Sequence, residues 1–164
     1  MHETLEQIYL DHRQGLFSLA LSITQSHQLA EDSVQNAFAN LFRRPIPNGD
    51  SVAYVFKSVR NSSIDSIRAN KRRSQLNESL FAENEITPAA DSAHDTIVSQ
   101  ERAHLLQQAI DELDELYREA IVLKSFSGLT FEQVGIVTNT PAKTVATRFR
   151  RALQKLEQKL KGQL

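Results

Sequence analysis

The sequence predicts an all-α protein made of two small helical domains joined by an acidic flexible linker. Three observations carry that prediction. Almost every apolar pattern in the chain has the helical period, and strand signals are nearly absent. Between Ser74 and Thr96 the periodicity fails and the sequence turns polar and acidic, with Pro88, Ala89 and Ala90 in its middle. From Gly128 to Leu153 the chain carries the start and stop signals of two helices joined by a tight turn. The expected division is therefore an N-terminal domain over 1–73, a linker over 74–96 and a C-terminal domain over 97–164. At 164 residues and 40% hydrophobic content the chain can hold one ordinary domain or two small ones. Each half lies near the lower size limit for an independent core.

Taken in order, Leu5, Ile8, Tyr9, His12, Leu16, Leu19, Ala20 and Ile23 mark a first helix with one apolar face. Ala30, Val34, Ala37, Phe38, Leu41 and Phe42 mark a second. The run from Arg43 to Gly49 ends it, because two prolines and a glycine cannot continue a helix. Asp50 or Ser51 can cap the third, whose apolar positions are Val52, Val55, Phe56, Val59, Ser63 and Ile67. That helix is expected to end at Arg73, roughly 35 Å from its start at 1.5 Å per residue. Beyond the linker one helix is expected from Ile97 to Leu113. Another runs from Glu115, capped by Asp114, to Phe126 and stops at Gly128.

Thr130 and Gln133 then form a capping box, in which a hydroxyl and a side-chain amide satisfy free N–H groups at a helix start. The helix must stop near Thr138 and Asn139. Thr140 is expected to cap the last helix, with Pro141 at its first position, where a missing N–H costs nothing. Gly135 sits inside the preceding helix at a cost of about 1 kcal/mol relative to Ala, which implies that another backbone comes close there. On the last helix, at about 100° per residue, Val145, Phe149, Ala152, Leu153, Leu156 and Leu160 share one arc that faces a core. Lys143, Thr147, Arg150, Arg151 and Gln154 point away, flanked by Thr144, Arg148 and Lys155, and no acid precedes Glu157 on this helix. A merely solvated face would mix acids with its bases. This layout suits a helix placed in a DNA groove, whereas the plainer reading is a two-helix hairpin closing a bundle.

The net charge of −1, with 24% charged residues, hides a pattern. Bases concentrate at Arg60 to Arg73 and at Lys143 to Lys161, while Glu83, Glu85, Asp91, Asp95 and Glu101 make the middle acidic. Two basic patches with an acidic connection imply two contact surfaces. The chain has no cysteine, so disulfides and thiolate metal sites are excluded. His2, His12, His27, His94 and His104 have no paired ligand spacing, and neither a glycine-rich phosphate loop nor a nucleophile elbow occurs. No enzymatic activity, metal or cofactor is expected. With no apolar run near 18 residues and no signal-peptide pattern, a soluble, cytoplasmic protein is expected.

Two motif groups place these segments. LAEDSVQNAFANLF, from Leu29 to Phe42, and AYVFKSVRNSSIDSIRANKRR, from Ala53 to Arg73, form the first. LDELYREAIVLKSFSGLTFEQVGIVTNTPAKTVATRFRRALQKL forms the second. In this order and at this spacing the chain resembles the extracytoplasmic-function branch of bacterial RNA polymerase sigma factors, over nearly its whole length. The resemblance implies that Glu31, Asp32, Val34, Gln35 and Phe38 contact the coiled coil of the polymerase's largest subunit. Asp32 has a second reading, since an acid near a helix start also suits the helix dipole. Asn61, Asp65 and Arg68 match an N-x-x-x-D-x-x-R pattern on the promoter-melting helix, and an Asp65–Arg68 pair is the local alternative. Arg60, Lys71, Arg72 and Arg73 are read as phosphate-facing. Phe42 and Tyr54 stand where many relatives have tryptophan; Phe42 is expected in the core and Tyr54 at the −10 DNA. The loop Arg43 to Asp50 lies where relatives capture a flipped base.

In the last helix the resemblance is weaker, because Lys143 replaces a frequent glycine and Ala146 a frequent base. Pro141, Lys143, Thr144, Thr147 and Arg148 remain the candidates for reading the −35 element, with Arg150 and Arg151 on phosphates. The implied partners are core RNA polymerase, through its coiled coil and flap, promoter DNA and an anti-sigma factor of the kind that restrains many relatives. The implied function is a non-enzymatic specificity subunit that directs initiation and assists melting. A free-standing helix-turn-helix regulator is the alternative, and it should dimerise on palindromic sites. A helical adaptor without DNA contacts is a further one.

Overall fold

The computed structural model describes residues 4–76 and 97–162, and every regular element among them is helical. Helix α1 spans Leu5–Thr24 and is capped by Thr4, whose hydroxyl accepts from the Gln7 N–H at 3.2 Å. Gln25, at φ 54°, closes it in a left-handed turn. Ser26 then caps α2, His27–Arg43, by accepting from the Leu29 N–H. The Pro45–Gly49 break follows as expected, and Asp50 caps α3, Ser51–Leu76, through its Oδ1 on the Ala53 N–H at 3.0 Å. Helix α3 runs three residues past the expected end, since Ser74, Gln75 and Leu76 contain no breaker. The rest of the anticipated linker lies outside the described residues.

Helix α4 covers Ile97–Asp111 and stops two residues before Leu113. Helix α5, Glu115–Ile121, opens at Asp114, whose carboxylate makes no capping bond; its backbone oxygen accepts the Arg118 N–H instead. The α geometry does not continue to Phe126 as anticipated. Val122–Phe126 widens into one π turn, with the Ser127 N–H on the Val122 oxygen at 3.0 Å and the Leu129 N–H on the Leu123 oxygen at 3.2 Å. Gly128, at φ 68°, then reverses the chain. Helix α6, Phe131–Thr138, has the full capping box of Thr130 and Gln133 and ends on left-handed Asn139. Helix α7 covers Ala142–Leu160. Pro141 stands just outside it with no side-chain cap, because the Thr140 hydroxyl donates backward to the Thr138 oxygen at 3.1 Å.

Two apolar clusters hold these helices. The larger gathers Ile8, Leu16, Leu19, Ala30, Phe38, Leu41, Phe56 and Val59 from α1 to α3 with Val122, Leu123, Leu129, Val134, Val137 and Val145 from the C-terminal half. The smaller packs Ala109, Ile110 and Leu113 against Ile121, Ala152 and Leu156. Leu153, expected inside, is 46% exposed. At about 100° per residue it stands roughly 100° round the helix from Ala152 and 60° from Leu156, at the rim of the apolar arc. Where polar groups enter the interior they are paired. The Ser33 and Ser66 hydroxyls bond across α2 and α3 at 2.9 Å, and no buried side-chain nitrogen or oxygen among the described residues lacks a partner.

The halves meet along a seam with three polar fastenings. Ser127 Oγ donates to the Gly15 oxygen at 3.3 Å. A Cβ on Gly15 would come within 3.0 Å of the Ser127 Cα, so only glycine lets the π turn sit on α1. Gln133 Nε2 donates to Asp50 Oδ2 at 3.1 Å, so the carboxylate that caps α3 also anchors the capping box of α6. Arg60 of α3 grips Glu119 of α5, Nε on Oε1 and Nη2 on Oε2.

Candidate functional site

Three surfaces bring together the residues singled out by the sequence. The first is a groove of about 980 Å³ between α1 and α2. Along α2 the spacing of Glu31, Val34, Gln35, Phe38 and Phe42 puts them on adjoining strips of one face, and they form one wall. Val34 and Phe38, at 9% and 7% exposure, form the floor and take part in the core. Glu31, Asp32 and Gln35 stand in solvent, with Asp32 outside the groove lining. Phe42 is 64% exposed, contrary to the core position expected for it. It closes the last turn of α2, one step further round from Phe38, and leans on that ring at 6.4 Å between centroids.

The other wall comes from α1 and was not anticipated as part of a site. Tyr9, Leu10, Arg13 and Phe17 line it, and Tyr9 meets Phe38 edge to face at 5.2 Å. Tyr9 belongs to amphipathic patterning that reads as core, and Phe17 stands beside that pattern, next to Leu16. Leu10, off the apolar face and 64% exposed, carried a faint signal as a large apolar residue where the pattern calls for a polar one. Such a trough, apolar at its base and lined by Glu6, Arg13, Glu31 and Gln35, suits the side of a partner helix.

The second surface runs along α3. Tyr54, Asn61, Asp65, Arg68, Lys71, Arg72 and Arg73 are all exposed and spread along the helix. No ion pair ties Asp65 to Arg68 among the described residues, so the carboxylate and guanidinium both face solvent. Arg60 is the exception in this group. Its guanidinium is turned into the seam against Glu119, a carboxylate with 6% exposure, and does not face outward as anticipated.

The third surface is the outer face of α7. Gly135 explains how α6 presents it, since a Cβ there would lie 2.6 Å from the Thr140 oxygen. The helices can cross this tightly only because that atom is missing. Pro141, Lys143, Thr144, Arg150 and Arg151 are exposed, and Thr147 and Arg148 are half-buried. The Thr147 hydroxyl donates to the Lys143 oxygen at 3.0 Å, which leaves its methyl and lone pairs outward. Arg148 folds toward the turn, with Nη1 3.5 Å from Thr140 Oγ1. Phe149 packs on Phe131 beneath this face at 5.9 Å, and Lys155 lies over the Tyr117 ring at 5.3 Å. The face therefore offers a cationic strip on a rigid helix, the electrostatic requirement for following a phosphate backbone.

Two family models match the chain. The family model described as Sigma-70 region 2 matches residues 8–73, and that for Sigma-70, region 4 matches residues 103–156. The chain is 27% identical to the ECF RNA polymerase sigma factor SigW of Bacillus subtilis, over 85% of this chain and 78% of that one. It is 29% identical to the RNA polymerase sigma-H factor of Pseudomonas aeruginosa, over 93% and 84%. Among solved structures, the sigma factor RpoE of Bartonella quintana, crystallised with the anti-sigma factor NepR, superposes with a TM-score of 0.72 at 24% identity over 97% of both chains.

Proposed function

The chain belongs to the extracytoplasmic-function branch of the sigma-70 family of RNA polymerase sigma factors, non-enzymatic subunits that direct promoter-specific initiation, and from that premise we propose how its surfaces divide the work. The groove between α1 and α2 takes a helix of core polymerase, with Phe38 and Val34 as its floor, Phe42 and Leu10 as apolar rims and Gln35 and Glu31 as polar contacts. The exposed strip of α3 from Asn61 to Arg73, with Tyr54 at its start, meets the −10 element and holds the opened strand. Helix α7 enters the −35 groove, with Lys143, Thr144, Thr147 and Arg148 at base edges and Arg150 and Arg151 on phosphates. Residues 1–73 and 97–164 serve as the two functional units, acting in the cytoplasm beside the polymerase flap and coiled coil. An anti-sigma protein, such as accompanies the structural relative, is the natural restraint.

The observation that carries this reading is the pairing, on one chain, of a helix-sized groove between α1 and α2 with a basic helix that carries no acid before Glu157. A free-standing regulator would have no use for the groove, and an adaptor none for the basic helix. Neither surface needs high affinity alone. If α7 neutralises about five phosphates, its binding falls with log salt at a slope of roughly −4 to −5. Attachment to polymerase raises the effective concentration of the second contact, so two weak readers become specific together. Run-off transcription with purified core polymerase across a promoter library tests the whole scheme. Promoter-specific transcripts that core alone does not make are expected; their absence would refute it.

A further inference from the structure

We propose that the cavity enclosed by the last turn of α1, the second half of α3 and helix α5 is a binding site for a small phosphorylated organic molecule, about the size of one nucleotide. The inference goes beyond the promoter-reading scheme, and the site does not depend on it.

Spacings on two helices assemble the site. On α3, Ile64, Ile67, Arg68 and Lys71 stand at i, i+3, i+4 and i+7, which is one strip of the helix. Glu115, Arg118 and Glu119 of α5 follow the same rule at i, i+3 and i+4. Both strips, with Ile23 from α1, line one cavity of about 310 Å³. That size lies at the lower end of the range for ligand pockets, so the cavity has room for a single compact molecule and not for a nucleic-acid strand.

The lining divides into two chemistries. Ile23, Ile64 and Ile67 are half-buried, and Ile64 and Ile67 belong to neither apolar cluster of the described residues. They offer apolar surface that the chain leaves uncovered, and an apolar or planar body laid on them would remove it from water. Around this floor stand Arg68, Lys71 and Arg118, none of which is in an ion pair among the described residues. Arg118 is half-buried and donates from Nη1 to the Asp111 backbone oxygen at 3.1 Å, a neutral acceptor that leaves its charge unmatched.

The acids of the lining do not cancel these cations. Arg60 engages both Glu119 oxygens and matches that charge, which leaves Glu115 as a single exposed carboxylate. Cations in excess around an apolar floor select a ligand with an anionic end and an apolar body. Phosphate suits the anionic end better than a carboxylate, because it brings three acceptor oxygens to two guanidiniums and an ammonium.

Isothermal titration calorimetry of the full chain with adenosine 5′-monophosphate tests the site, with adenosine and inorganic phosphate as the separated parts of that probe. Arg118 and Glu115 lie off the strip proposed to meet the −10 element, to which Arg68 and Lys71 belong, so variants there probe the cavity without touching that reading. The nucleotide is expected to bind once per chain and more tightly than either part. Arg118→Gln should weaken it by about tenfold or more, as for the loss of a charge-assisted hydrogen bond. Glu115→Gln should instead tighten it by about two- to threefold, a gain that a damaged fold would not give. Arg102→Gln makes the same charge change on an exposed residue of α4 outside the cavity and should leave the affinity as it was. Absence of saturable nucleotide binding, or binding of adenosine or inorganic phosphate as tight as that of the nucleotide, overturns the proposal. Equal losses in Arg118→Gln and Arg102→Gln also overturn it, because net charge and not the cavity would then hold the anion.

Discussion

Replacing Gly135 by alanine sets two known effects against each other, and the structure decides the sign. In an isolated helix the change would stabilise by about 1 kcal/mol, because alanine is the better helix former. Here the new methyl would lie 2.6 Å from the Thr140 oxygen and 3.6 Å from the Ala142 nitrogen. Ordinary contact begins near 3.4 Å, so the turn must retreat by most of an ångström, and the clashing atom is backbone with no rotamer to escape into. Overpacking of this kind costs about 1–3 kcal/mol. The net expectation is a destabilisation of about 0–2 kcal/mol, or a fall in Tm of a few degrees for a chain of this size. The functional effect should exceed the thermal one, since the displaced turn leads directly into Lys143 and Thr144 of α7, which are proposed to reach base edges. Thermal unfolding by circular dichroism, paired with run-off transcription, reads both. Gly135→Val, which adds bulk at the same contact, should be worse on each measure. A Tm raised by about 2–4 °C with promoter choice intact would mean that propensity wins and that the close crossing of α6 and α7 is not what shapes the reader.

Other expectations follow from the same surfaces. Phe42→Ala should weaken polymerase capture several-fold while shifting Tm by no more than about a degree or two, because the ring is mostly exposed; a large loss of stability with unchanged capture would return Phe42 to the core. Asp50→Ala removes the cap of α3 and the anchor of Gln133 together, and should cost about 1–2 kcal/mol in urea unfolding. An unchanged midpoint would show that neither bond matters. Arg150→Ala with Arg151→Ala should reduce the log-salt slope of duplex binding by about 2 without changing which promoter is preferred. A changed preference would promote these residues from phosphate contacts to base readers.

What could be read from the sequence was whatever depends on neighbours a few residues away. The capping box at Thr130 and Gln133, the helix stop near Thr138 and Asn139, the break at Pro45 to Gly49 and the close approach at Gly135 are all local, and each stands in the fold as expected. Local rules with two outcomes were less reliable. Thr140 and Asp114 are both good capping residues, yet the hydroxyl turned back to Thr138 and the carboxylate made no capping bond. Periodicity located the apolar arcs but not their limits: Leu153 and Phe42 sit at arc edges, where exposure depends on the width of the facing helix. Arg60 and Glu119, 59 residues apart, belong to no pattern at all. Their meeting depends on tertiary packing alone, and so do the α1 wall of the groove and the role of Gly15.

The π turn at Val122–Phe126 has a consequence for anyone exchanging parts between relatives. Its wide hydrogen bond accommodates one residue more than an α turn would. Removing that residue would restore regular α geometry at the turn and change the phase at which Ser127 and Leu129 leave it. Leu129 would leave the interior and Ser127 would lose Gly15. A chimaera that grafts a foreign −35 reader onto this chain should therefore be joined upstream of Val122, carrying the turn with its own reader. A junction placed at the inviting glycine, Gly128, would preserve both helices and misalign them.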